Sequence, residues 1–125
     1  MGVSTDAILA YGYELQEFEP DDMEWIEEDE DGYTDLDESL AKRLREAGVT
    51  GVGFTRHCSV DYPMYILTTY ERTSWRGSVG KVDAHELVAR PPSEGWDAKL
   101  DTALRVLGLT SPQDRPSWLI VSNWG

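Results

Sequence analysis

The feature that most constrains this chain is a run of acidic residues near its start. Thirteen of the residues from Glu17 to Glu38 are Asp or Glu, and none is Lys or Arg. Residues 1–41 hold 15 of the 24 acidic residues and no base, whereas residues 42–125 hold the other 9 and all 11 bases. A segment this charged cannot build a core. We therefore expect one domain spanning residues 1–125, with an acidic insertion at about residues 16–33.

Composition limits the classes of function that the chain can serve. The net charge of −13 disfavours binding to nucleic acids and to anionic membranes, because like charges repel. No apolar run is long enough to span a bilayer, and no basic region precedes an apolar stretch at the start. A single cysteine excludes an internal disulfide. These features predict a cytoplasmic protein without a signal peptide.

Hydrophobic periodicity predicts four strands and two helices. Period-two patterns place strands at residues 6–15, 49–56, 63–71 and 117–125. Apolar stripes with a helical period predict helices within residues 34–48 and 95–109. Thr34 or Asp35 is the expected cap of the first helix, and Ser93 that of the second. Segment 82–88 is ambiguous, and "RPPSEG" (90–95) is expected to break the chain.

This order of elements predicts an α+β fold. We expect a small antiparallel or mixed sheet of about four strands, with two helices packed on it. The acidic insertion would form a loop between the first strand and the first helix.

Three segments resemble a known family when taken together. They are "STDAILAYGY" (4–13), "HCSVDYPMYIL" (57–67) followed by "SWRG" (74–77), and "VSNWG" (121–125). They resemble a family of small, uncharacterised proteins encoded by actinobacteria and by their phages. The resemblance implies a bacterial cytoplasmic setting and a phage origin, and hence a protein that inhibits a host defence or host enzyme. It transfers no catalytic residue.

The acidic segment supports three interpretations, two of which are a solvated loop and a docking surface. High charge with few apolar residues favours a solvated, partly disordered loop.

The second interpretation is a docking surface. Closely spaced carboxylates match the charge density of duplex DNA, so the segment could dock on a basic protein surface as a DNA mimic. Trp25, with Met23 and Ile26, would then anchor the partner. The predicted contact residues are Glu24, Trp25, Glu27, Glu28, Asp29, Glu30, Asp31, Asp35, Asp37 and Glu38.

The third interpretation is a calcium loop. With Gly32 at position 6, the segment 27–38 is similar to an EF-hand loop. The ligands would be Glu27, Asp29, Asp31, the Tyr33 carbonyl, Asp35 and Glu38. An entering helix would end near Met23 and Ile26. Glu rather than Asp at the first position and Thr34 at an apolar position depart from the pattern.

Two further groups of residues invite a chemical interpretation. Cys58 beside His57 suggests a nucleophile and base, but neighbours on a strand face opposite sides, which favours a buried structural cysteine. Arg72 and Arg76 flank Trp75, an arrangement that can bind phosphate or stack on a base. In a chain this acidic, we expect these arginines to form salt bridges. We therefore predict a non-enzymatic acidic binding protein without a cofactor.

Overall fold

The computed structural model describes residues 5–28, 30–59 and 61–124, without the side chain of Asp21. Its elements are β1 (Thr5–Glu14), a 3₁₀ turn (Pro20–Asp22), α1 (Leu36–Glu46), β2 (Gly53–Ser59), β3 (Pro63–Ser74), α2 (Ala84–Glu94), α3 (Trp96–Leu107) and β4 (Ser117–Trp124). The predicted α+β class and the four strands are confirmed. In the part of the chain that the structure describes, no helix is long and apolar enough to cross a bilayer.

The sheet closes on itself, which the sequence pattern did not predict. β1 pairs antiparallel with both β3 and β4, and β2 pairs antiparallel with β3. β2 then meets β4 in a short parallel pairing of Cys58 with Asn123 and Ser59 with Trp124. The strand order β1–β3–β2–β4 is thus a closed, mixed barrel. The closing contact joins only the ends of β2 and β4, because the two strands share no more than these two residue pairs in the described part of the chain.

Apolar residues on both faces of β1 explain the closure. On the outer face, Tyr11 and Tyr13 pack with Leu67 and with the apolar stripes of α1 and α3. On the inner face, Ile8 and Ala10 pack with Ile66 in a second cluster. An open sheet covered by helices on one face would leave this inner cluster in water. Rolling the sheet up buries it.

The pairing of β1 with β3 is irregular at one point. The pairing of β1 with β3 slips between Tyr11 and Gly12, so that Tyr11 faces Tyr70 while Gly12 faces Thr68. The extra residue keeps both Leu67 and Tyr70 in contact with the helix-covered cluster. A Cβ added to Gly12 would lie 1.8 Å from the carbonyl oxygen of Leu67. Only glycine allows this approach of two backbones.

The prediction of two helices was wrong, because a third helix runs through the segment expected to break the chain. α2 spans Ala84–Glu94 and contains Pro91 and Pro92. Pro91 has no N–H to donate to the carbonyl of Leu87, four residues earlier. The indole Nε1 of Trp118 donates to that oxygen at 2.7 Å instead. A partner from β4 thus replaces the missing helical hydrogen bond.

The ends of the helices follow local chemistry, with one correction. Asp35 caps α1 as predicted, and its carboxylate accepts a hydrogen bond from the Glu38 N–H at 3.0 Å. Ser93 does not cap α3, because it lies inside α2. Gly95 separates α2 from α3 with a left-handed φ of 66°.

The start of β2 also differs from the prediction. β2 begins at Gly53 and not at Val49, since Val49 packs into the core just after α1.

Candidate functional site

The acidic segment is attached to the body of the protein by aromatic side chains. Phe18 lies 5.1 Å from Phe54 and 5.7 Å from Tyr65, measured between ring centroids. Trp25 stacks on Phe54 at 6.3 Å, and its indole Nε1 donates to the carbonyl oxygen of Leu107 at 3.0 Å. The segment therefore lies against β2 and the end of α3. It is not a loop without tertiary contacts.

The apolar residues of the segment therefore serve the protein's own core. Trp25 and Met23 pack against the helix-covered cluster and are half-buried. That Trp25 anchors a partner stays a prediction, because the side chain is half-buried against the core and part of it remains at the surface. The contacts of Trp25 with Phe54 and Leu107 attach the acidic segment to the body of the protein.

Most predicted contact residues are exposed carboxylates. Glu24, Glu27, Glu28, Glu30, Asp31, Asp35, Asp37 and Glu38 all lie at the surface. Asp29, the remaining predicted contact, lies outside the described residues. We call these eight exposed carboxylates the acidic face. They come from the insertion and the first turn of α1.

Few of these carboxylates are neutralised by the described lysines and arginines. Lys42 binds Glu27 at 2.8 Å, and Arg56 approaches Asp37 at 3.8 Å. The hydrogen bond to Glu27, and then its charge, raises the pKa of Lys42. Within ranges 5–28, 30–59 and 61–124, Glu24, Glu28, Glu30 and Glu38 form no ion pair. The face therefore keeps most of its negative charge.

Backbone contacts shape the tip of the segment. Glu28 and Thr34 form an antiparallel bridge, and Gly32 between them has a φ of 82°. Ser39, in the first turns of α1, accepts a hydrogen bond from the Glu27 N–H at 3.1 Å. The insertion thus folds back on the start of α1. This places its carboxylates beside the acidic first turn of that helix.

The structure does not assemble the predicted calcium loop. The residues before it form a 3₁₀ turn, Pro20–Asp22, and not the entering helix that an EF-hand needs. The Glu27 carboxylate binds Lys42, and that of Asp35 caps α1. Asp29, one of the predicted ligands, lies outside the described residues. Among the residues that are described, no three His, Cys, Asp or Glu side chains are grouped to hold a metal ion.

A cleft of mixed charge borders the acidic face. Its volume is about 580 Å³, and it lies between the insertion, α1 and the end of α3. Glu24 and Glu27 line it together with Lys42, Arg43 and Arg105. Sequence reasoning missed Arg105, which is far away along the chain. Only the packing of α1 against α3 brings it here.

Two tyrosine–aspartate pairs connect β1 to α3. Tyr11 donates to Asp97 at 2.6 Å, and Tyr13 donates to Asp101 at 2.5 Å. Tyr11 and Tyr13 are two residues apart on β1 and lie on the same face. Their partners Asp97 and Asp101 are one helical turn apart on α3, so both pairs can form side by side. Burial, followed by these hydrogen bonds, raises the pKa of both phenols. Raised pKa values keep the phenols protonated, which suits a structural role and not that of a base.

Cys58 and His57 lie next to each other near the end of β2. Cys58 is a free thiol that is half-buried, not buried as predicted, and its φ is 78°. It lies where β2 and β4 close the barrel. Burial lowers the pKa of His57, with Glu14 opposing the shift. No hydrogen bond joins the two side chains in the described part of the molecule.

The expected salt bridge of Arg72 is not present. Its Nη1 donates to the Lys81 carbonyl oxygen at 2.6 Å, and no described carboxylate pairs with it. Trp75, which the sequence placed beside Arg72, is 65% exposed. The backbone N–H of Arg76 donates to the Asp6 carboxylate at 3.1 Å. Arg72 and Trp75 line different cavities.

Comparison with known proteins finds no match to the chain among family models, curated proteins or solved structures. The resemblance to an actinobacterial and phage family therefore stays a prediction.

Proposed function

We propose that this chain is a non-enzymatic binding protein whose acidic face docks on a basic surface of a protein partner. One observation carries the proposal: Glu24, Glu28, Glu30 and Glu38 are exposed and form no ion pair with a described base, while Trp25 ties their segment to the core. A fixed array of carboxylates loses less conformational entropy on binding than a free loop does.

The proposed partner is a nucleic-acid enzyme, because its binding groove offers the basic surface that this face complements. Docking would occlude the groove and inhibit the enzyme by competition with phosphate charge. The predicted phage setting agrees with such an inhibitor. Charge supplies rate and selectivity, and the residues around the cleft near Arg105 supply contact area.

Displacement of DNA from purified bacterial nucleic-acid enzymes tests the proposal. Each enzyme is bound to a fluorescent duplex, and anisotropy is followed as the protein is added. We expect the protein to displace the duplex from at least one enzyme. Calorimetry without DNA should show binding to that enzyme that weakens steeply between about 50 and 200 mM salt, because the contact is electrostatic.

A matched pair of triple variants isolates the acidic face. The test variant changes Glu24, Glu28 and Glu30 to Gln. The control changes Asp61, Glu71 and Asp114 to Asn, Gln and Asn, three exposed acids elsewhere, and so removes the same charge. We expect the test variant to lose at least about tenfold in affinity and the control to bind like the wild type. Equal affinity of both variants, or no displacement from any enzyme, would overturn the proposal.

A further inference from the structure

A second cavity, remote in sequence from the acidic insertion, gathers cations in this acidic protein. It has a volume of about 480 Å³ and lies between the start of α2 and the strands β1, β3 and β4. Arg72, Lys81 and Arg90 line it. None of its lining residues belongs to the insertion. The volume is within the range of small-molecule sites.

Two of these cations have no carboxylate partner among the described residues. Arg72 is fixed by its hydrogen bond to the Lys81 carbonyl, and in the described ranges neither Arg72 nor Lys81 joins an ion pair. Two acids, Asp83 and Glu86, also line the cavity. The Asp83 carboxylate is engaged as the cap of α2, where it accepts from the His85 N–H at 2.9 Å. Arg72 and Lys81 are therefore available to bind an anion that enters the cavity.

Arg90, the third cation, has a planar guanidinium group that lies against two aromatic rings. The guanidinium carbon of Arg90 lies 4.9 Å from the ring centroid of Tyr70 and 5.0 Å from that of Trp96. Its Nε also donates to Glu94 at 3.1 Å, which fixes its orientation. The side chain of Arg90 is still 40% exposed. A fixed guanidinium plane that is partly open to solvent is a surface on which a nucleobase can stack.

The remaining wall is apolar and aromatic. Leu9, Tyr70 and Trp118 line it, and both aromatic side chains are half-buried. An inorganic anion would gain nothing from this wall, whereas a planar ring that carries an anionic group would use both halves of the cavity. A long polyanion is disfavoured, because the acidic face would repel its remaining phosphates.

We propose that this cavity binds a nucleoside phosphate. The base stacks on the Arg90 plane beside Trp118 and Leu9, and Arg72 and Lys81 bind the phosphate. The arginine at position 72 that sequence analysis singled out thus acts with Tyr70 and Trp118, and not with Trp75. The lining of the cavity shares no residue with the acidic face, so the proposal does not rest on the protein partner.

Isothermal titration calorimetry with four probes tests this inference. AMP and GMP each carry ring and phosphate, adenosine carries the ring alone, and inorganic phosphate carries the anion alone. We expect at least one nucleotide to bind about tenfold more tightly than either fragment. No nucleotide binding at millimolar concentration would overturn the proposal, and so would phosphate binding as tightly as the nucleotides.

Charge variants then locate the site. Arg72→Gln and Lys81→Gln should each weaken nucleotide binding at least about fivefold. Arg45→Gln, an exposed cation on α1 outside the cavity, is the matched control and should bind normally. Equal losses in all three variants would mean nonspecific attraction and would refute the site. Amide NMR signals of residues 81–87 should shift with AMP while those of residues 24–38 do not, which keeps this test separate from that of the acidic face.

Discussion

The indole of Trp118 and the carbonyl of Leu87 form the hydrogen bond that lets a helix pass through a proline. Pro91 leaves this carbonyl without a helical donor, and Trp118 Nε1 supplies one at 2.7 Å. The same indole packs edge-on against Tyr11 and Tyr70, at centroid distances of 5.1 Å and 5.6 Å. The hydrogen bond from Trp118 to Leu87 therefore connects α2 to the aromatic cluster of Tyr11, Tyr70 and Trp118.

Trp118→Phe should destabilise the protein by about 1 kcal/mol, the low end of the cost of leaving an acceptor unsatisfied, because Leu87 is half-buried. The effect should shrink in a Pro91→Ala background, because an alanine N–H can bond to Leu87. Urea unfolding of the double-mutant cycle measures this coupling. Trp124→Phe, at a tryptophan that is half exposed, is the control. Additive losses at positions 91 and 118 would contradict the assignment.

Gly12→Ala should be among the most damaging single substitutions in the chain. Its Cβ would lie 1.8 Å from a backbone oxygen, so the strands at the register shift must separate. We expect a loss of at least about 3 kcal/mol, measured by thermal or urea unfolding. Gly53→Ala is a matched strand control, because a Cβ there meets nothing within 4 Å. Similar stabilities for the two variants would show that the backbones do not approach so closely.

Stability should fall at alkaline pH because of Tyr11 and Tyr13. Their pKa values in the folded state lie above the ordinary value of 10.0, first through burial and then through hydrogen bonds to Asp97 and Asp101. A raised folded pKa contributes stability that is fully present below about pH 10 and is lost as pH rises further.

Urea unfolding between pH 8 and pH 11 measures this loss, and absorbance at 295 nm follows phenol ionisation. Tyr11→Phe and Tyr13→Phe should each flatten the decline above about pH 10. Ionisation of all six tyrosines near pH 10 while the near-UV circular dichroism stays native would refute the shifts.

Trp25 should control the order of the acidic segment. Trp25→Phe removes the hydrogen bond to Leu107 and should lower stability by about 1 kcal/mol. Trp25→Ala also removes the stacking on Phe54 and should release the segment. Cleavage by a glutamate-specific protease between residues 17 and 30 should then accelerate while the core stays folded. Val88→Ala, at an exposed apolar residue of α2, is the control. Unchanged cleavage in Trp25→Ala would show that Trp25 does not hold the segment.

Calcium should not stabilise the protein. Glu27 is bound to Lys42, Asp35 caps α1, and no helix enters the loop, so assembling an EF-hand would first break these contacts. We expect no heat of binding and no thermal shift at millimolar calcium. A shift that Glu38→Gln abolishes would instead restore the calcium hypothesis, since the last ligand of an EF-hand is a glutamate.

The sequence by itself determined the parts that depend on nearby residues. The stripes of α1 and α3 and the Asp35 cap each follow from periodicity or short spacing, and the structure contains them. The concentration of charge was also predicted, because it is a property of composition.

Only the tertiary structure decided the features that need distant partners. α2 continues through Pro91 with Trp118 bonded to Leu87, and the closed sheet buries Ile8 and Ala10 with Ile66. The cavity of Arg72, Lys81 and Arg90 and the docking of Trp25 on Phe54 likewise join separate segments. Local patterns cannot encode such contacts, because their free energy comes from desolvation and hydrogen bonding between groups that meet only after the chain folds.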